Sequence, residues 1–198
     1  MSEQLHINKK VGSFTSTSGH KASSFPDFSD TISLIRNFAQ LFRLSVAIVA
    51  ALVGCATIYA LNSAAPLQEY LLTATILVCT HSAACAINDY WDVDKDLIDH
   101  PERPLPSGRL SPQQVWWAAV ILFACALIAA IPLGIYCFIL VAISTILLWN
   151  YSHLLVRNGI FANFIVATIT AAIIFLGSLV VDRPLAMLYP SAFVFCYT

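Results

Sequence analysis

Long uncharged apolar runs, broken by short polar segments, make up most of the chain from residue 44 onward. A hydrocarbon core about 30 Å thick takes roughly 20 helical residues to cross. Runs near that length predict spans at 44–62, 70–88, 113–131, 135–150 and 160–181. The uncharged stretch 110–156 is too long for one crossing, and it divides at Pro132-Leu133-Gly134, where helix and turn chemistry change. A sixth apolar run starts at Leu185, after Asp182-Arg183-Pro184, and reaches Thr198 still short of a crossing, so the chain is expected to end inside a helix. The fold class expected is all-α: a polytopic transmembrane helix bundle with five complete spans and a truncated sixth. Residues 1–35 are polar and rich in Ser, Thr and Gly, with no apolar core of the signal-peptide kind. They read as a disordered cytoplasmic tail in front of a membrane domain at 36–198, although few acids and many Ser would also suit an organellar transit peptide.

Composition agrees with this pattern. A mean hydropathy of +0.77, with 59% hydrophobic and 11% charged residues, excludes an ordinary soluble domain. The net charge of −1 gives no reason to expect nucleic acid. Cys55, Cys79, Cys85, Cys125 and Cys137 fall within expected spans and Cys196 in the last run, with no CxxC pair, so they read as small packing residues. The basic residues set an orientation. With a cytoplasmic N-terminus, Lys9, Lys10, Lys21, Arg36, Arg43, Lys95, Arg103, Arg109 and Arg157 all lie inside and only Arg183 lies outside. That asymmetry places the N-terminus and the polar loop after the second span on the cytoplasmic side.

That loop carries the chemistry. Asp89, Asp92, Asp94, Asp96, Asp99 and Glu102 are six of the 11 acidic residues in the chain, gathered between apolar runs. One Asp at the bilayer centre costs about 2.5–3.5 kcal/mol, so six together would cost roughly 15–20, and the stretch belongs at a membrane surface or in a wet cavity. Asn88, Asp92 and Asp96 recur every four residues and share one helical face, which His81 and Cys85 extend back into the membrane. Carboxylates stacked in this way repel one another, and only Lys95, Arg103 and Arg109 offset the six acids. A divalent cation resolves the conflict. An EF-hand loop fails, because Leu97 stands where Gly is needed and Arg103 where Glu is needed. Zinc lacks its Cys/His cluster. Oxygen donors of this kind suit Mg²⁺ shared with phosphate oxygens, and Arg forks match phosphate geometry. The residues thus point to a metal-bridged diphosphate site at the mouth of a helix bundle, above an apolar interior able to hold a lipid tail. His81 reads as a packing residue rather than a ligand. Trp91, Trp116, Trp117 and Trp149 read as interface anchors, with Tyr90 and Trp91 as weaker candidates for contact with an acceptor.

The pattern Asn88-Asp89-x-x-Asp92-x-x-x-Asp96, followed by Pro101-x-Arg103-Pro104-x-Pro106-Ser107-Gly108, resembles the first signature of the UbiA superfamily of intramembrane prenyltransferases. The likeness extends through Tyr151-Ser152, Asn163-Phe164-Ile165-Val166-Ala167 and Gly177. It implies transfer of a prenyl group from a polyprenyl diphosphate to a small acceptor (aromatic, chlorin or glycerol-phosphate lipid), dependent on Mg²⁺. It further implies that Asn88, Asp92 and Asp96 hold the metal and that Asp92, Asp96 and Arg103 are catalytic, with Arg103 contacting diphosphate oxygens or clamping the loop. Lys95, Arg109 and Tyr151 would join Asn88 around the substrate. The Arg-Pro-x-Pro-Ser-Gly form looks closer to the branch that uses geranylgeranyl-type donors. Three departures stand out: Val156, with Arg157 next to it, where the family commonly has Lys; no Asn within Arg43-Leu44-Ser45-Val46, where the family often has one after an Arg-Pro; and no second Asp-rich motif, which in the family follows the sixth span. The chain alone is therefore expected to bind Mg²⁺ weakly and not to turn over. A truncated or inactive member of the family, and less readily a divalent-cation transporter, are the competing readings.

Overall fold

A computed structural model of the protein describes residues 28–151 and 159–197, and every described regular element is helical. In chain order these are α1 (Phe28–Leu41), α2 (Leu44–Leu61), α3 (Leu67–Trp91), α4 (Val93–Asp99), α5 (Pro112–Ala130), α6 (Ile135–Asn150), α7 (Gly159–Val180) and α8 (Leu188–Tyr197). Four helical stretches are long and apolar enough to cross a membrane: Leu44–Leu61, Leu67–Trp91, Pro112–Leu133 and Asn163–Val180. The fourth span expected from sequence, α6, has 16 residues, about 24 Å of helix, and falls short of that length. α3 starts before the expected 70–88 and carries on to Trp91, because Asp89, Tyr90 and Trp91 extend the helix beyond its apolar core. Residues 28–35, placed in the expected tail, form the first turns of α1, where Ile32, Ile35 and Arg36 lie on one side and Ser33 and Asn37 on the other. The rest of that tail, residues 1–27, lies outside the described residues, as do Ser152, Val156 and Arg157.

Local chemistry sets the helix ends. Ser111 caps α5 by accepting from the Gln114 backbone N–H at 3.2 Å, and Gln114 Oε1 accepts from the Ser111 N–H at 2.8 Å, with Pro112 at the first helical position. A 3₁₀ turn at Ile131–Leu133 and Gly134, at φ +102°, reverse the chain into α6, as the Pro132-Leu133-Gly134 break predicted.

α3 is the central helix. It packs most extensively on α5 and α2 and also touches α1, α6 and α7, while α7 leans on α2, α6 and α8. Small residues permit this closeness: Ala83, Ala84 and Ala86 on α3 and Ala119, Ala126 and Ala130 on α5 are all buried. At Gly177, an added Cβ would lie 2.8 Å from Thr57 Cβ and 3.1 Å from the Gly54 carbonyl oxygen, so α7 crosses α2 nearly backbone to backbone. One core cluster gathers Ile58, Ile76, Leu77, Cys137, Val141 and Leu176 at mid-bundle. A second, at the acidic end, joins Leu41, Ala83, Ile87, Val115 and Phe123 to Leu105 and Leu110 from the loop after α4. All six cysteines are free thiols. Trp116 packs edge-on against Trp117 at 4.8 Å and Trp149 at 6.3 Å, so two of the expected interface anchors also tie α5 to α6.

Candidate functional site

The acidic stretch folds around a joint. α3 ends at Trp91, Asp92 takes φ −94° and ψ 12°, and α4 begins at Val93. The hydrogen-bond ladder still crosses the joint, from Asp92 N to the Asn88 carbonyl at 2.9 Å and from Asp96 N to the Asp92 carbonyl at 2.8 Å. Asn88, Asp92 and Asp96 therefore keep the one-turn spacing expected of them. Their environments differ: Asn88 and Asp92 are half-buried, whereas Asp96 is 4% exposed.

The Pro-Glu-Arg-Pro-Leu-Pro-Ser-Gly-Arg segment then doubles back over the end of α3. Pro104, Leu105 and Leu110 are buried beneath it. The Ser107 N–H donates to the Arg103 carbonyl at 3.0 Å, the Leu110 N–H donates to the Pro104 carbonyl at 3.0 Å, and Gly108 makes the turn at φ +73°. This fold carries Arg103 back to α4 and α3, where Nη1 lies 2.6 Å from Asp96 Oδ2 and 3.6 Å from Asp89 Oδ1. Arg43 arrives from the other side. It occupies the left-handed turn between α1 and α2, at φ +46°, and its Nη2 donates to Asp89 Oδ1 at 3.2 Å. Two arginines and two buried carboxylates thus form one network linking α2, α3, α4 and the loop.

Burial shapes the protonation of the groups outside the spans. It pushes the Asp92 carboxyl above its usual range, Lys95 pulls it back, Asp96 raises it again and Arg103 lowers it, with a net upward shift. For Arg103, burial acts against the charge but is outweighed by the Asp96 hydrogen bond and by the charges of Asp89, Asp96 and Glu102, so its guanidinium is held still more firmly charged.

Beneath the network lies a cavity of about 710 Å³ between α2, α3, α6 and α7. Its polar lining is Arg43, His81, Cys85, Asn88, Tyr151 and Thr170, and its walls include Val49, Val53, Ile165 and Ile169. A narrower pocket of about 90 Å³ continues from it, sharing His81, Ala84, Leu148 and Ile173 and reaching Ile76 and Leu176.

The sequence-derived site residues separate on this map. Asn88 and Tyr151 line the cavity, and Asp92 sits one turn beyond Asn88 without lining it. Asp96 gives Oδ2 to Arg103, and Arg103 clamps the loop. Lys95 is exposed. Arg109 braces the loop, donating to Ser107 Oγ at 2.9 Å, to the Glu102 carbonyl, and to Asn37 Oδ1 on α1 at 3.1 Å. Among the described residues, no three His, Cys, Asp or Glu side chains converge as a metal cluster. Sequence reasoning missed Arg43 and Asp89 as site residues. The signal available was one Arg at the head of an uncharged span and one Asp adjoining Asn88 on a helix otherwise apolar at that level.

The fold and site define a membrane helix bundle in which a charged rim covers an apolar cavity. Residues 47–198 match the UbiA prenyltransferase family, and the chain belongs to that family. Its similar curated proteins include the digeranylgeranylglyceryl phosphate synthase of Sulfolobus acidocaldarius, 34% identical over 130 residues, covering 65% of this chain and 47% of that protein. The enzyme of the same name from Saccharolobus solfataricus is 33% identical over 147 residues, 73% of this chain and 52% of that one. The chain spans about half the length of the curated relatives it matches. Two solved structures share the fold. One, from work on digeranylgeranylglyceryl phosphate synthase in membranes, matches with a TM-score of 0.75 at 23% identity, over 81% of this chain and 57% of that chain. The other, a UbiA homolog from Archaeoglobus fulgidus bound to DMAPP and Mg²⁺, matches with a TM-score of 0.70 at 17% identity, over 80% of this chain and 59% of that one.

Proposed function

We propose that this chain forms the donor-binding part of an enzyme that moves a prenyl group from a polyprenyl diphosphate to a small acceptor within the membrane. The observation that carries this reading is the apolar cavity of about 710 Å³ headed by Asn88 and Arg43 and continuous with the Asp89–Arg103–Asp96 network. The walls take the prenyl tail, whose first carbon becomes an allylic cation when the donor C–O bond breaks; Val49 and Val53 are exposed, so the cavity is open along α2. Negative charge gathers on the departing diphosphate at the rim, where Arg43 and Arg103 offer fixed positive charge. Tyr151 lines the cavity beside Arg43 and Asn88, where it would border the reacting end of the tail. A cation suits this rim, because Asp92 is a half-buried carboxylate whose burial outweighs the opposing charge of Lys95. Asn88 and Asp92 would hold Mg²⁺, with Asp96 joining while Arg103 fixes its Oδ2. When bound, Mg²⁺ supplies Lewis-acid withdrawal of charge from the diphosphate.

Among acceptors, a glycerol-phosphate lipid is favoured over an aromatic or chlorin one, since the curated relatives carry the name digeranylgeranylglyceryl phosphate synthase. The basic-residue asymmetry supports five crossings, with the acidic loop and N-terminus cytoplasmic. The transporter reading gains nothing from the structure: Asp and Glu in the described spans are Glu69 and Asp89, near the two ends of α3.

The test uses the full-length protein in detergent with Mg²⁺, labelled geranylgeranyl diphosphate and, separately, geranylgeranylglyceryl phosphate or 4-hydroxybenzoate. Asp92→Ala is expected to lower transfer by about a hundredfold or more. Asp94→Ala, at an exposed position on another face, should stay within about threefold. Equal losses, or metal-independent transfer, would refute the assignment.

A further inference from the structure

His81 lines both the large cavity and its narrower continuation. It lies about 10 Å along α3 from Asn88, two turns deeper than the rim. Its Nε2 is 3.5 Å from Cys85 Sγ, and Cys85 is 5% exposed, so the ring is tied to a fixed neighbour on its own helix. The titratable or charged groups that share the large cavity with it are Arg43 from the head of α2, Cys85 on α3 and Tyr151 at the end of α6; the described α7 lining is uncharged. No carboxylate is among the described lining residues of either pocket. Imidazole is the only side chain in that set whose ordinary chemistry exchanges a proton near neutral pH.

Prenyl transfer needs such a group. The donor C–O bond breaks and its electron pair leaves with the diphosphate. A new bond forms from the prenyl carbon to an acceptor oxygen or ring carbon. Whichever atom attacks, the acceptor ends with one hydrogen too many, and a proton must go to a base within a cavity lined mainly by aliphatic side chains.

We propose that His81 is the general base of the transfer step, taking the acceptor's proton while Cys85 positions its ring. In the tautomer whose Nε2–H points at the Cys85 sulfur, Nδ1 keeps the lone pair that receives the proton. The imidazolium later returns it to water at the rim. The inference rests on the prenyl-transfer reading above and assigns it a residue that the acidic motif does not contain.

The experiment separates donor cleavage from acceptor capture in the full-length protein with Mg²⁺, labelled geranylgeranyl diphosphate and geranylgeranylglyceryl phosphate. His81→Gln should lower acceptor prenylation about a hundredfold. Slow release of diphosphate and geranylgeraniol by water, measured in the same samples, should fall at least tenfold less than transfer does, and the acid limb of the pH–rate profile should vanish. Added imidazole should restore part of the transfer in His81→Ala, and this rescue decides the matter if the Gln variant loses its fold. Transfer by His81→Gln within threefold of wild type overturns the proposal, and so does a parallel loss of cleavage and transfer that imidazole does not rescue. A wild-type protein that neither cleaves the donor nor prenylates the acceptor marks the failure of the underlying function and takes this inference with it.

Discussion

Replacing Arg103 with Ala strips the cation from two carboxylates that the fold has already taken out of water. Asp96 and Asp89 are each 4% exposed, and the Arg103 side chain is 26% exposed. Removing one partner of a buried ion pair costs about 3–5 kcal/mol, since the remaining charge is left without compensation. Arg103 is partly solvated and Arg43 remains 3.2 Å from Asp89, so the low end, about 3 kcal/mol, applies here. At roughly 2–4 °C per kcal/mol for a chain of this size, the thermal midpoint in detergent should fall by about 6–12 °C. The distinguishing arm is the double variant Arg103→Ala with Asp96→Asn. It removes the same ion pair but leaves no bare charge at residue 96, so it should be more stable than Arg103→Ala alone by about 1 kcal/mol or more. Scanning fluorimetry of the three purified proteins measures this without reference to activity. A midpoint for Arg103→Ala within about 2 °C of wild type, or a double variant less stable than the single one, would show that the network does not hold the loop in place.

Two further predictions concern packing and placement. Gly177→Ala should destabilise by about 1–3 kcal/mol, because its Cβ meets Thr57 Cβ at 2.8 Å, while Gly108→Ala faces open space and bears only the left-handed backbone penalty of about 1 kcal/mol. Thermal midpoints in the reverse order would rule out the close α2–α7 crossing. Lys95→Cys is exposed on α4, so an impermeant maleimide should label it in inside-out vesicles and not in right-side-out ones, with wild type as the background control; labelling from outside would reverse the topology.

Solvation alone made much of this protein legible. Uncharged runs near 20 residues have no good place in water, so their lengths predicted α2, α3, α5 and α7, and the Pro132-Leu133-Gly134 break separated α5 from α6. Spacing predicted that Asn88, Asp92 and Asp96 would keep helical register, which is a local property of the backbone. The start of α1 was absorbed into a polar tail because Ser29, Asp30, Thr31 and Ser33 interrupt its apolar residues.

Only the tertiary structure decided which side chains meet. Asp96 and Arg103 were both expected at the substrate, and the loop, with Leu105 and Leu110 buried beneath it, also turns Arg103 onto Asp96 at 2.6 Å. Arg43 and Asp89 are 46 residues apart, and no local pattern joins them. Their contact depends on how α2 meets α3, where a Cβ added at Gly54 would run into Leu77, while Gly177 sets how closely α7 approaches α2. The same packing leaves the cavity and places His81 on its wall. Hydropathy and helical register act within a segment and can be read from it, whereas a cavity and an ion-pair network arise from how segments pack against one another.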